Sequence, residues 1–148
     1  MGVELCRRFA EVLAPYEPTM VVGPTTGGVL LAFETARQLG GEVRAAFAEP
    51  VERGRRALRR GWSVTPDERV VIVDDILTTG ASLVETVEAV EAAGARPIAA
   101  AVIVDRSVAQ VEPGCPLHAL GRFEIPSWEA EACELCAAGV PLRKPGSS

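Results

Sequence analysis

The chain has 148 residues, of which 48% are apolar and 24% charged, enough to close one core and too apolar for a disordered tail or a fibrous repeat. A formal net charge of -5 excludes a general nucleic-acid binder, which needs a surplus of Lys and Arg to release counterions. No apolar run reaches the roughly 18 residues of a membrane helix, and the start Met1-Gly2-Val3-Glu4 lacks the order of a signal peptide, so the expectation is a single cytoplasmic domain over residues 1–148 without a membrane partner.

Val3, Cys6, Phe9, Ala10 and Leu13 recur at helical spacing before Pro15 and Pro18, which predicts a first helix over about 3–14. Met20, Val21 and Val22 form a short strand closing on a Gly-rich turn, Gly23 to Gly28, and Val29 to Leu39 reads as a helix stopped by Gly40 and Gly41. Val43 to Ala48 is a second strand. From Glu49 to Gly61 no period survives, and the stretch is expected to be a long exposed loop; it carries Arg53, Arg55, Arg56, Arg59 and Arg60, a local anion trap in an acidic chain. No aromatic residue interleaves these arginines to stack a base, which argues against nucleic-acid contact; a merely solvated loop is the plainer alternative.

Val70 to Val73 is a continuous β-branched run of the kind buried on both faces, followed by a helix over about 81–93 and a strand from Pro97 to Val104. Strands alternating with helices imply a doubly wound, mostly parallel α/β sheet with helices on both faces. The regular core is expected over about 3–107. Beyond it the composition changes, with five of the eleven prolines after Asp105, and residues 108–148 are expected to be an irregular tail wrapping the core.

The chemistry concentrates in residues 70–82. A buried strand delivers Asp74 and Asp75, then Ile76 and Leu77, then a turn of Thr78, Thr79, Gly80, Ala81 and Ser82 opening a helix. Backbone N–H groups at such a turn, with the positive end of the following helix and three hydroxyls, suit a phosphate, and Gly80 allows close approach. Two carboxylates at the strand's end can accept from a sugar diol or support a hydrated Mg²⁺. Phosphate followed by diol describes a ribose 5-phosphate. Two other readings fit less well: a phosphoacceptor domain would need a well-placed lysine, whereas the chain's single Lys144 lies in the tail, and a plain helix cap explains only part of the run.

This run resembles the signature with which type I phosphoribosyltransferases bind 5-phosphoribosyl 1-pyrophosphate (PRPP). The resemblance spans residues 3–107, with the Gly23–Gly28 turn at the family's pyrophosphate loop and residues 49–61 at its mobile catalytic loop. It is strongest to the orotate phosphoribosyltransferase branch, through Ala48-Glu49, Leu58 to Trp62, Val104-Asp105-Arg106-Ser107 and the tail from Cys133 to Gly139 with Lys144 to Ser147. The resemblance implies an Mg²⁺-dependent transfer of the phosphoribosyl group from PRPP to a nucleobase, orotate first, in a homodimer. A purine base, or a non-catalytic PRPP-sensing role, are the alternatives.

By that resemblance PRPP is bound by Thr25, Thr26, Gly27 and the run Asp74, Asp75, Ile76, Leu77, Thr78, Thr79, Gly80, Ala81, Ser82. Asp74, Asp75, Arg53, Arg55 and Arg56 are the catalytic candidates, and Thr78 and Arg106 meet the base. The family's loops usually carry Lys where this chain has Arg and Thr. Cys115, His118, Cys133 and Cys136 have spacings compatible with a tetrahedral zinc, against the plainer expectation of structural thiols.

Overall fold

A computed structural model describes residues 2–52, 54–126 and 128–141. Helix α1 (Gly2–Leu13) is followed by strand β1 (Met20–Pro24), helix α2 (Gly27–Leu39), strands β2 (Arg44–Glu52), β3 (Arg55–Leu58) and β4 (Val70–Leu77), helix α3 (Ala81–Ala92), strands β5 (Pro97–Asp105) and β6 (Leu117–Arg122), and a short helix α4 (Glu134–Ala137). The strands form one sheet in the order β3-β2-β1-β4-β5-β6. All neighbours pair in parallel except β2 with β3.

The alternation of strand residues sorts the core into two layers. Val21, Val71, Val73, Ala99 and Ala101 face α1 and α2, where they meet Phe9, Leu13, Ala32 and Ala36. Their neighbours Met20, Val22, Val70 and Ile72 face the other way, toward Val90, Leu83 and Val87 of α3. Because β4 is covered on both sides, Val70 to Val73 are completely buried, each such side chain contributing roughly 1.5–3 kcal/mol. The chain is a doubly wound α/β fold, as its pattern implied.

The stretch from 49 to 61 is not a long loop. Strand β2 runs on to Glu52 and β3 folds back against it, with Ala48 opposite Leu58, Glu49 opposite Ala57 and Pro50 opposite Arg56. A register shift between Pro50 and Glu52 breaks the alternation that would have revealed the hairpin. Its arginines suit a sheet edge, where charge discourages further strand pairing, and Leu58 and Trp62 anchor its base on the α3 side of the sheet.

The region expected to be irregular also contributes a strand. β6 extends the sheet in parallel beside β5, Ala100 facing Leu117 and Asp105 facing Arg122, so the regular core continues to Arg122 and not only to residue 107. Its six residues, Leu-His-Ala-Leu-Gly-Arg, include no β-branched side chain, and the strand is only half covered, so neither propensity nor alternation marks it.

Candidate functional site

The strand order places the Gly-rich turn after β1 and the hydroxyl-rich turn after β4 side by side. After β1 the chain winds to one edge through β2 and β3, then returns to β4 on the other side of β1. The carboxyl ends of β1 and β4 therefore flank the point where the winding reverses, which is where open α/β sheets hold ligands. The turn at 25–27 leaves β1, and the Asp74–Ser82 run leaves β4. The Thr25–Thr26 peptide bond is cis.

Close approach between the two turns, and within the first of them, needs glycine. A Cβ on Gly27 would lie 2.5 Å from Asp75 Oδ2, and one on Gly23 would lie 2.1 Å from the Gly28 carbonyl oxygen. Asp75 is exposed at the strand's end, its Oδ1 accepting from the Ile76 backbone N–H at 2.7 Å. Asp74 is 5% exposed; its Oδ1 accepts from the Asp75 backbone N–H and its Oδ2 from Ser82 Oγ, each at 2.8 Å. Burial pushes the Asp74 carboxyl above the usual range of aspartate, the Asp75 carboxylate adds to that rise, and the two donated hydrogen bonds oppose it.

The turn from Thr78 to Ser82 leads into the start of α3 with Gly80 at φ 82°. Thr78 and Thr79 are exposed, with Thr79 Oγ1 accepting from the Ala81 N–H at 3.4 Å, so N–H groups and hydroxyls gather at a helix start. Leu77 is buried in the core, and Ile76 is 49% exposed. A Cβ on Gly80 would lie 2.4 Å from Val111 Cγ1. Gly80→Ala is therefore expected to cost about 1–3 kcal/mol in chemical unfolding, since left-handed backbone is strained for Ala. Adding Val111→Ala relieves the clash but not the backbone term, so only part of the loss returns.

Arg106 and Thr78, the two residues expected at the base, meet directly: Arg106 Nε donates to Thr78 Oγ1 at 3.1 Å, and the Arg106 backbone N–H donates to the Leu77 carbonyl at 2.9 Å. Asp105 holds the preceding turn, its Oδ1 accepting from the Ser107 N–H and Oγ at 2.8 and 2.6 Å. A cavity of about 470 Å³ opens beside Arg106, walled by Val108, Arg122, Ile125 and Pro126. A larger one of about 700 Å³ lies under residues 110–116 and touches the signature run only at Leu77.

The arginines separate into different roles. Arg53 lies outside the described residues, as does Lys144. Arg55 is exposed and paired with Glu52 at 3.5 Å; Arg60 is held by Glu49 at 2.8 Å. Arg56 turns inward: its Nη1 donates to the carbonyls of Thr25 and Ala48, each at 3.3 Å, and its Nε stands 3.2 Å from Glu85 Oε2. That Nε–H is not aligned for a hydrogen bond, so charge attraction holds the pair. Arg56 thus braces the 25–27 turn from behind. Glu85 and Val111 had no signal in the sequence, because each matters only through a partner distant in the chain.

The zinc candidates do not assemble. Cys115, in the bend before β6, packs on the α3 side, while His118, on the strand, has its Nε2 2.8 Å from Tyr16 Oη in the opposite layer. Among the described residues no group of three or more His, Cys, Asp or Glu is arranged to hold a metal ion.

A sheet with a glycine-rich turn at its winding reversal, beside paired carboxylates and a hydroxyl-lined helix start, defines a class of α/β proteins suited to a sugar phosphate. The model of the phosphoribosyl transferase domain matches residues 5–117, and the chain belongs to that family. It is 43% identical over 141 residues to the orotate phosphoribosyltransferase of Caldanaerobacter subterraneus subsp. tengcongensis, covering 95% of this chain and 73% of that one. Among solved structures, the Mycobacterium tuberculosis H37Rv orotate phosphoribosyltransferase in complex with PRPP superposes with a TM-score of 0.69 at 26% identity, covering 82% of this chain and 72% of that one. A purine phosphoribosyltransferase from Pyrococcus horikoshii Ot3 gives 0.66 at 25%, covering 85% and 91%.

Proposed function

We propose that this protein transfers the 5-phosphoribosyl group from PRPP to orotate, releasing pyrophosphate. The observation that carries this reading is the meeting of Arg106 with Thr78 at 3.1 Å, in the turn that follows the carboxylate pair: a fork for a carboxylated base adjoins a site for a ribose phosphate. The likeness to orotate phosphoribosyltransferases over 95% of the chain supports it.

In the reaction a base nitrogen forms the bond to C1 as the C1–oxygen bond to pyrophosphate breaks, with inversion through an oxocarbenium-like transition state. Thr78, Thr79, Gly80, Ala81 and Ser82 hold the 5-phosphate through backbone N–H groups and the Thr78 and Thr79 hydroxyls. Asp74 and Asp75 accept from the ribose hydroxyls and fix the ring for in-line attack. Thr25, Thr26 and Gly27 face the pyrophosphate, Arg55 supplies charge from the hairpin, and Arg56 keeps the 25–27 turn in place. The exposed Asp75 carboxylate, whose Oδ2 stands over the bare Cα of Gly27 where a Cβ would collide with it, offers the hard oxygen donors that Mg²⁺ prefers; bound with PRPP, the ion would neutralise charge on the leaving pyrophosphate.

A homodimer belongs to the same proposal, with Leu30 and Phe33, 76% and 64% exposed on α2, as apolar surface for a second copy. A cytoplasmic location fits a chain in which, among the described residues, no helix is long and apolar enough to cross a membrane.

Pyrophosphate release from PRPP and Mg²⁺, measured in parallel with orotate, uracil, adenine, hypoxanthine and xanthine, tests the proposal. Release with orotate alone is the expected outcome. Release with a purine alone would replace the base, and silence with every base in protein that binds PRPP would make this a PRPP sensor.

A further inference from the structure

The four free thiols occupy two kinds of surroundings. Cys6 is 2% exposed against α2, and Cys115 packs beside Val111 and Leu117. Cys133 and Cys136 lie instead in the segment beyond the sheet, both partly exposed, at the start and within the single turn of α4. Positions three apart around a helical turn share one side, and Cys133 Sγ accepts from the Cys136 backbone N–H at 3.5 Å. The pair needs no other segment to move for its sulfurs to meet. A cavity of about 350 Å³, walled by Trp128, Cys133, Glu134 and Leu135, gives a small reagent access to Cys133 in particular.

We propose that Cys133 and Cys136 form a reversible dithiol–disulfide couple, with Cys133 attacking and Cys136 resolving, that exchanges with low-molecular-weight disulfides. In the first step Cys133 gives up its proton and its thiolate attacks one sulfur of the reagent; the reagent's S–S bond breaks and one thiolate leaves. In the second, Cys136 gives up its proton and attacks the Cys133 sulfur, releasing the other half of the reagent. Two cysteine thiols are oxidised to one disulfide, one reagent disulfide is reduced to two thiols, and the two protons end on those thiols.

The assignment of roles follows from the donors. The backbone N–H of Cys136 stabilises a thiolate at Cys133 and holds that thiol below the usual cysteine value, whereas the Cys136 thiol, beside that sulfur, is pushed above it. Burial pushes both Cys6 and Cys115 up, which leaves them slow. Glu129, Glu131 and Glu134 are exposed around the pair and repel anionic reagents, so a neutral probe is the appropriate one.

The full chain, incubated anaerobically with hydroxyethyl disulfide and mapped by mass spectrometry, is expected to lose two hydrogen atoms and yield a Cys133–Cys136 crosslink that dithiothreitol reverses, with Cys6 and Cys115 still alkylatable. In Cys136→Ser the probe is expected to remain as a stable adduct on Cys133, formed roughly tenfold faster than any adduct on Cys136 in Cys133→Ser. Absence of the crosslink in the parent chain overturns the couple. Equal trapping by the two variants, or an adduct formed faster on Cys136, overturns the roles.

Discussion

Asp74→Asn is expected to give a protein that melts at a higher temperature than the parent at neutral pH and has lost most of its transferase activity. Asp74 is almost wholly buried, and burial raises its carboxyl above the ordinary aspartate value, more than the hydrogen bonds from Ser82 and from the Asp75 N–H offset. A group that binds its proton more tightly in the fold than in the unfolded chain loses stability as pH rises from the unfolded value through the folded one. The parent therefore carries more of that loss at pH 7 than at acid pH. Asn carries no charge to bury, and its amide keeps both contacts, accepting from the Asp75 N–H and donating to Ser82 Oγ. The gain in Tm should shrink to nothing as the pH falls to about 4 and below, where the parent carboxyl is protonated too.

Turnover should move the other way. An amide holds a ribose hydroxyl less firmly than a carboxylate, and the negative charge facing an oxocarbenium-like centre is gone, so kcat/KM should fall by about 10²–10³. Asp75→Asn, at an exposed position, should lose activity without the gain in Tm. Calorimetry from pH 4 to 8 beside pyrophosphate release measures both. A lower Tm across that range, or turnover within a few-fold of the parent, would sink the assignment of Asp74 as a charge kept at the expense of stability.

The parts of the molecule legible in the sequence are those whose cause is local. Val70 to Val73 announces a strand covered on both faces because every residue is β-branched and apolar, and the acidic pair and hydroxyl turn follow it directly. The hairpin from Arg44 to Leu58 was hidden because Pro50 and a register shift disrupt the alternation, while its charged side chains imitate a loop. β6 was hidden because pairing with β5, and not the propensity of its own residues, makes it a strand. The roles of the arginines could not be read from their spacing at all. Arg56 is turned inward by the Thr25 carbonyl and Glu85, 31 and 29 positions away in the chain, and Arg60 is taken by Glu49. Cys115 and His118 fail as a metal pair because the bend before β6 leaves Cys115 on the α3 side while His118, on the strand, meets Tyr16 in the opposite layer, which no spacing rule shows.

Arg106→Ala should lower kcat/KM for orotate by about 30-fold to several thousand-fold, the equivalent of roughly 2–5 kcal/mol for removing one partner of a desolvated charge pair. PRPP affinity should be unchanged, because the 5-phosphate and ribose contacts assigned to residues 74–82 do not include it. Arg106→Lys should recover only part of the loss, since an ammonium offers a point charge and no planar fork. The hydrogen bond from Arg106 Nε to Thr78 Oγ1 makes the PRPP measurement decisive. If Arg106 reads the base, isothermal titration with PRPP alone returns the parent's Kd. A Kd weakened as much as kcat/KM would show instead that the guanidinium supports the phosphate turn through Thr78, and recognition of the base carboxylate would then have to be sought among the other cationic groups near the cavity, Arg122 first.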